Sequence, residues 1–194
     1  MVDIEQVKLW AVSRWKLGEM HGISHWERVE RNGLLLATPE CDVTVIRLFA
    51  YLHDSCREND MHDRFHGPRA AKMIEGLRKT LLKDLSDHQF KLLQEACRLH
   101  TSTHSTGNPT IDACFDADRL DLGRVNITPD PEKMATEKGK ELARQLILLH
   151  HQQKGLKESK QRSSGLGFEG VFGEHGEQHD AEEYGVQISA TLLG

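Results

Sequence analysis

The sequence predicts an all-α protein. Apolar residues recur at helical spacing near the start, as in Ile4, Val7, Trp10, Ala11 and Trp15. A nearly unbroken apolar run, Val43 to Leu52, is long enough for a helix buried on most of its surface. Helix-start signals of the capping-box and Asn-Pro kind punctuate the chain between such stretches.

In chain order, the first helix is expected over Ile4 to Lys16. Gly18 and Gly22 then bracket a turn around Glu19-Met20-His21. Ser24-His25-Trp26-Glu27 has the capping-box form, so a second helix is expected to open there and to place His25 in its first turn. Thr38-Pro39 stops it. The buried helix follows, over about Asp42 to Asp54, and delivers His53 and Asp54 into the interior. Cys56 to Phe65 is charged and irregular, which reads as a loop. His66-Gly67-Pro68 opens a helix running to about Asp84. Ser86-Asp87-His88-Gln89 is a second capping box, opening a helix to about His100. After a polar turn from Thr101 to Gly107, Asn108-Pro109 opens a helix through Asp118 and Leu122, and Pro129-Asp130-Pro131 starts a last one to about His151.

The chain has 194 residues, enough for one domain with a core. The domain is expected over residues 1–153. From Lys154 glycine, serine and charge rise, so 154–194 reads as a poorly structured tail or a loosely docked one. A formal net charge of −5 argues against non-specific binding to nucleic acid or to an anionic membrane. No apolar stretch approaches the ~20 residues that span a bilayer. The start, Met1-Val2-Asp3-Ile4-Glu5, lacks a signal peptide's basic and apolar regions. The four cysteines form no C-x-x-C pair and read as reduced thiols of a cytoplasmic protein.

The twelve histidines carry more information, and seven of them fall between His25 and His104. A buried histidine beside a buried carboxylate, His53-Asp54, is costly unless paired or bound to a metal. With His25 and Asp118 it makes a mixed nitrogen and oxygen set that suits a divalent transition metal. Six-coordinate binding would leave room for water and a substrate oxygen.

These residues and their surroundings resemble the HD-domain superfamily of metal-dependent phosphohydrolases. The H…HD…D pattern is carried by His25, His53-Asp54 and Asp118. The flanking text fits as well: Ser24-His25-Trp26-Glu27-Arg28-Val29, Ala50-Tyr51-Leu52-His53-Asp54, His66-Gly67-Pro68-Arg69-Ala70-Ala71 and Asp116-Ala117-Asp118-Arg119-Leu120-Asp121. The resemblance covers roughly residues 20 to 125. It implies a helical bundle of about six to seven helices. It also implies one divalent ion (Mn, Co, Ni, Fe, Zn or Mg) held by His25, His53, Asp54 and Asp118. Asp116 competes with Asp118 for that role, and the second aspartate of D-x-D is favoured. Asp121, three residues on and on nearly the same helix face, is expected to orient a group behind the ligands.

The implied activity is hydrolysis of a phosphomonoester or phosphodiester, of a nucleotide or a related small molecule, by metal-activated water. His66 is the expected phosphate contact or general acid. A second ion is open to the protein through His66 and His100. Arg119 is the favoured phosphate contact, because its planar fork matches phosphate oxygens. Arg69 and Lys72, with His100 and His104, are the other substrate-binding candidates. Glu58 is a candidate base or water-positioning group. Blander readings exist for each: solvated faces for Arg69 and Lys72, a loop charge for Glu58, surface positions for His21, His62 and His88, and core positions for the three tryptophans. Two other functions compete. One is a nucleotide or metal sensor with little turnover. The other is a two-iron oxygenase, which needs a full second ligand set. Oligomeric state stays open.

Overall fold

The computed structural model describes residues 1–164. Among them lie seven α-helices and no strand: α1 Ile4–Arg14, α2 Ile23–Leu36, α3 Val43–Leu52, α4 His66–Leu77, α5 Asp87–Leu99, α6 Pro109–Arg119 and α7 Glu137–Ser164. α3 is the axis of the bundle. It packs against α1, α2, α5 and α6. Of its ten residues, Val45, Ile46, Leu48, Phe49, Ala50, Tyr51 and Leu52 are buried. That matches the unbroken apolar run, since a helix covered on nearly every side has no polar face to keep.

Several helix starts are fixed by local chemistry. Asp3 and Asp42 cap α1 and α3 through their carboxylates, which accept from Gln6 N and Val45 N. The box at Ser86 and Gln89 forms both of its bonds. Asn108 accepts from Thr110 N and Ile111 N, with Pro109 in the first turn.

Four expectations need correction. Ser24 is not a cap. α2 begins at Ile23 with Gly22 as N-cap, and the Ser24 hydroxyl donates to Glu19 instead. α4 stops at Leu77 and turns carry the chain on to Leu85, where Arg78 donates to the carbonyls of Leu82 and Lys83. Pro131 opens only a short 3₁₀ turn, Pro131–Lys133, and α7 starts at Glu137. α7 then runs past the expected helix end near His151 to Ser164. The rest of the expected tail lies outside the described residues.

The tryptophans are structural. Trp26 is fully buried, and Trp15 packs edge-on against it with ring centroids 5.2 Å apart. At Gly67 a Cβ would come within 2.6 Å of the Cys97 carbonyl oxygen. Only glycine lets the first turn of α4 approach the last turn of α5 this closely, and that approach brings His66 to His100.

Candidate metal centre

α2, α3 and α6 converge on one point. His25 sits in the first turn of α2, His53 caps the C-terminus of α3, Asp54 follows it, and Asp118 lies near the end of α6. His25 Nε2 and His53 Nε2 are 3.3 Å apart. Asp54 Oδ2 stands 3.6 Å from His25 Nε2 and 3.7 Å from His53 Nε2. Asp118 Oδ1 stands 3.5 and 3.8 Å from the same two nitrogens. Donors bound about 2.1 Å from a common cation stand roughly 3–3.4 Å apart, so the spacing is close to that of a ligand set.

The hydrogen bonds behind the imidazoles fix their tautomers. His25 Nδ1 faces Asp121 Oδ2 at 2.7 Å, and His53 Nδ1 faces the carbonyls of Phe49 and Ala50, each at 3.1 Å. Carboxylates and carbonyls only accept, so each Nδ1 carries the proton and each neutral Nε2 turns a bare lone pair inward. Two lone pairs facing each other across 3.3 Å, flanked by two carboxylates, make an arrangement that a cation stabilises. Asp118 Oδ1 is buried without a hydrogen-bond partner. An orphaned carboxylate oxygen aimed at two imidazole lone pairs fits a bound divalent ion.

Electrostatics agree. Burial drives the His53 pKa down to about 3, against the pull of Asp54 and Asp118, so the ring is neutral and able to ligate. Burial alone would raise Asp118. The His53, Arg124 and His25 side chains overcome it and bring its pKa to about 2. Asp54 is likewise held well below the ordinary range, burial notwithstanding, by His53, His100, His66 and His25.

Asp54 has a second face. Its Oδ1 lies 3.0 Å from His66 Nε2 and 3.7 Å from His100 Nε2. Those two nitrogens are 2.8 Å apart. Their Nδ1 atoms donate to the carbonyls of Asp63 and Cys97, so again Nε2 faces inward. Burial works to lower the His100 pKa, but the hydrogen bond to Asp54 and the charges of Asp118 and Asp54 raise it. The cluster is therefore continuous. His25–His53–Asp54, His53–His100–Asp118 and Asp54–His66–His100 each bring ligating atoms within 4.8 Å of one another.

The aspartates around Asp118 have distinct jobs. Asp116 is fully buried and accepts from Ala135 N, Thr136 N, Thr136 Oγ1 and Arg119, which ties α6 to the start of α7. It faces away from the cluster. Asp121 accepts from His25 on one oxygen and from Arg28 Nε at 2.6 Å on the other, so it orients the His25 ring.

The remaining site candidates sit elsewhere. Arg119 donates to the carbonyls of Thr103, His104 and Lys133 and to Asp116, so its fork braces the turn after α5. Arg69 holds the carbonyl of Cys56 and the carboxylate of Asp63. Glu58 is largely exposed and pairs with Arg69 at 3.6 Å. Lys72 lines an outer groove between α4 and α5, away from the histidines. His104 Nε2 bonds the Met134 carbonyl, at the edge of a cavity that also reaches His100. His21, expected on the surface, is buried and bonds Asp60 through Nδ1 at 3.1 Å. That link ties the Cys56 to Phe65 loop to the turn before α2, beside the His25 ring. It left no sequence signal, because it joins two stretches 39 residues apart.

Fold and site together define an all-helical bundle with a buried histidine–aspartate centre able to hold a metal. The fold is that of a crystal structure of a predicted HD superfamily hydrolase from an uncultured Thermotogales bacterium. The two chains share 24% identity and superpose with a TM-score of 0.61, over 80% of this chain and 90% of the other. No protein-family model matches the sequence, and no curated protein does. Among the described residues no helix is long and apolar enough to cross a membrane.

Proposed function

We propose that the protein is an HD-type, metal-dependent phosphohydrolase acting on a small phosphoester such as a nucleotide. The observation that carries this is the inward-facing set of imidazole lone pairs completed by the orphaned Asp118 oxygen. His25, His53, Asp54 and Asp118 would hold one divalent ion. Such an ion lowers the pKa of a bound water and stabilises charge on a phosphoryl oxygen. In the reaction a water oxygen bonds to phosphorus, the bond from phosphorus to the leaving oxygen breaks, and that oxygen takes up a proton.

The chain's own groups supply the rest. Asp121 and Arg28 hold His25 in its ligating tautomer. His66 Nε2 and His100 Nε2 stand 2.8 Å apart beside Asp54, close enough to hold a proton between them and pass it to the departing oxygen. A second ion is the competing reading of that pair. Its ligands would be Asp54, His66 and His100, whose donor atoms already converge. The two roles exclude each other, because the same nitrogen lone pairs cannot hold both a proton and a metal.

The test is an assay of purified protein with and without Mn, Co, Ni or Mg on a generic phosphoester, a nucleotide panel and a cyclic dinucleotide, repeated with Asp54→Ala. Metal-dependent turnover that falls by about a thousandfold or more in the variant is expected. Failure to turn over any of them, or turnover that survives the substitution, overturns the reading. Elemental analysis gives the ion's identity and the ratio of one or two per chain.

A further inference from the structure

Two half-buried arginines that the reading above leaves unused share one design. Arg57 donates from Nε to the Asn59 carbonyl and from Nη2 to the Met61 carbonyl, which leaves Nη1 3.5 Å from Asp54 Oδ1 and 3.5 Å from each ring nitrogen of His66. Arg124 donates from Nε to the Met20 carbonyl and from Nη1 to the Asp121 carbonyl, which leaves Nη2 3.8 Å from Asp118 Oδ1. The two side chains are only 9% and 7% exposed. In each, two nitrogens are anchored to backbone and the third is held beside a carboxylate of the cluster, at the Asp54 oxygen that faces His66 and at the Asp118 oxygen that faces His25 and His53. They flank the same cluster, since Arg57 stands beside Asp54 and Arg124 beside Asp118, and both carboxylates lie within 3.6 Å of His25 Nε2. Arg57 and His66 line a cavity of about 500 Å³ with Arg64, Thr101 and Ser102, a size that takes a small ligand.

Charge completes the argument, which rests on the phosphohydrolase reading. One divalent ion is balanced by Asp54 and Asp118. Asp121 is matched by Arg28, Asp63 by Arg69 and Asp116 by Arg119. Asp60 is about one-third exposed and bonded to His21. Arg57 stands beside Asp54, and Arg124 beside Asp118 and Asp121, so once Asp54 and Asp118 are counted against the ion these two half-buried arginines carry the positive charge left at the centre. A buried charge is costly until it is paired. A phosphomonoester brings two negative charges, whereas a diester brings one. A second ion would only widen the excess.

We infer that Arg57 and Arg124 are the phosphate-gripping residues of this site, and that they match it to the dianionic terminal phosphate of a monoester rather than to a diester.

The test uses the full chain loaded with Mn at pH 8, with inorganic phosphate as the dianion probe and dimethyl phosphate as the monoanion probe. Calorimetry reads affinity and elemental analysis reads the ion. Arg57→Gln and Arg124→Gln are each expected to weaken phosphate binding about ten- to a hundredfold, with a much smaller loss for dimethyl phosphate and the ion retained. Lys91→Gln, on an exposed outer face, controls for general charge and is expected to change neither. Where a Gln variant loses its ion, Arg57→Lys and Arg124→Lys carry the test. They keep the charge but not the fork, and a loss of phosphate affinity of about threefold or more supports the inference. Phosphate affinity unchanged with the ion in place overturns it, as does an equal loss for both anions. Either result leaves the phosphohydrolase reading standing on the Asp54→Ala assay. Failure of the wild-type protein to turn over any phosphoester would instead remove that reading, and this one with it.

Discussion

The two faces of Asp54 are built differently. On the Oδ2 side, His25, His53 and Asp118 come from α2, α3 and α6, and the ring of His25 is held by a carboxylate 96 residues away. On the Oδ1 side, His66 and His100 come from the start of α4 and the end of α5, and each is held by a carbonyl three residues back in its own chain segment. A carboxylate behind an imidazole raises its basicity and depends on the whole tertiary arrangement. A local carbonyl fixes only the ring's direction. The first face is therefore built as a donor set that could hold a metal, whereas the second is a pair of oriented imidazoles that could serve as acid or as ligands.

Perturbing each face separately sharpens that contrast. The largest effect is expected from Asp121→Asn, which removes the charge behind His25. Metal affinity should fall about ten- to a hundredfold with the helical content intact, as read by metal titration and circular dichroism. Loss of the fold, rather than of the metal, would mean that Asp121 is a strut and not an orienting group. His100→Ala is expected next. It should leave one ion per chain in place on the Oδ2 side while cutting kcat by about ten- to a hundredfold. A fall in the metal ratio from two to one would convert the proton-sharing pair into a second ligand set.

Acidity separates the two faces without any mutation. The His53 pKa is depressed from 6.5 to about 3, so its contribution to stability is complete above pH 6.5 and is lost as pH falls toward 3. The His100 pKa is raised, so its contribution is complete below 6.5 and is lost as pH rises through its folded value. Chelator-treated protein should accordingly show a melting temperature that declines on both sides of about pH 6.5. A monotonic rise into alkali would refute the assignment of His100. The smallest effect is expected at Glu58→Gln. The side chain is exposed and paired only with Arg69, so stability should change by no more than about 0.5 kcal/mol and kcat/KM by less than twofold. A large loss of activity would restore Glu58 as a base.

The contrast also explains what could be read from the chain. Most helices follow from spacing and caps: Asp42, Ser86 and Asn108 each cap a helix close to its expected start. The exceptions have physical causes. Ser24 had the right letters, but its hydroxyl found Glu19 before it could cap, and the 3₁₀ turn Glu19–His21 runs directly into α2. The cations show a similar competition. Arg119 and Arg69 have the right chemistry for phosphate, but their donors are taken by carbonyls and by Asp116 and Asp63. Arg57 and Arg124 look like ordinary loop charges until folding buries them.

The sequence by itself determined the all-helical class and the buried run that ends in His53-Asp54, because helical periodicity and capping are local and are written in neighbouring residues. It also pointed to His25 and Asp118 by pattern. Only the tertiary structure decided that Asp118 rather than Asp116 faces the cluster, that His21 belongs to the interior, and which arginines keep a nitrogen beside the centre. Those outcomes depend on which acceptors reach each donor first, and the competing acceptors come from segments far apart along the chain.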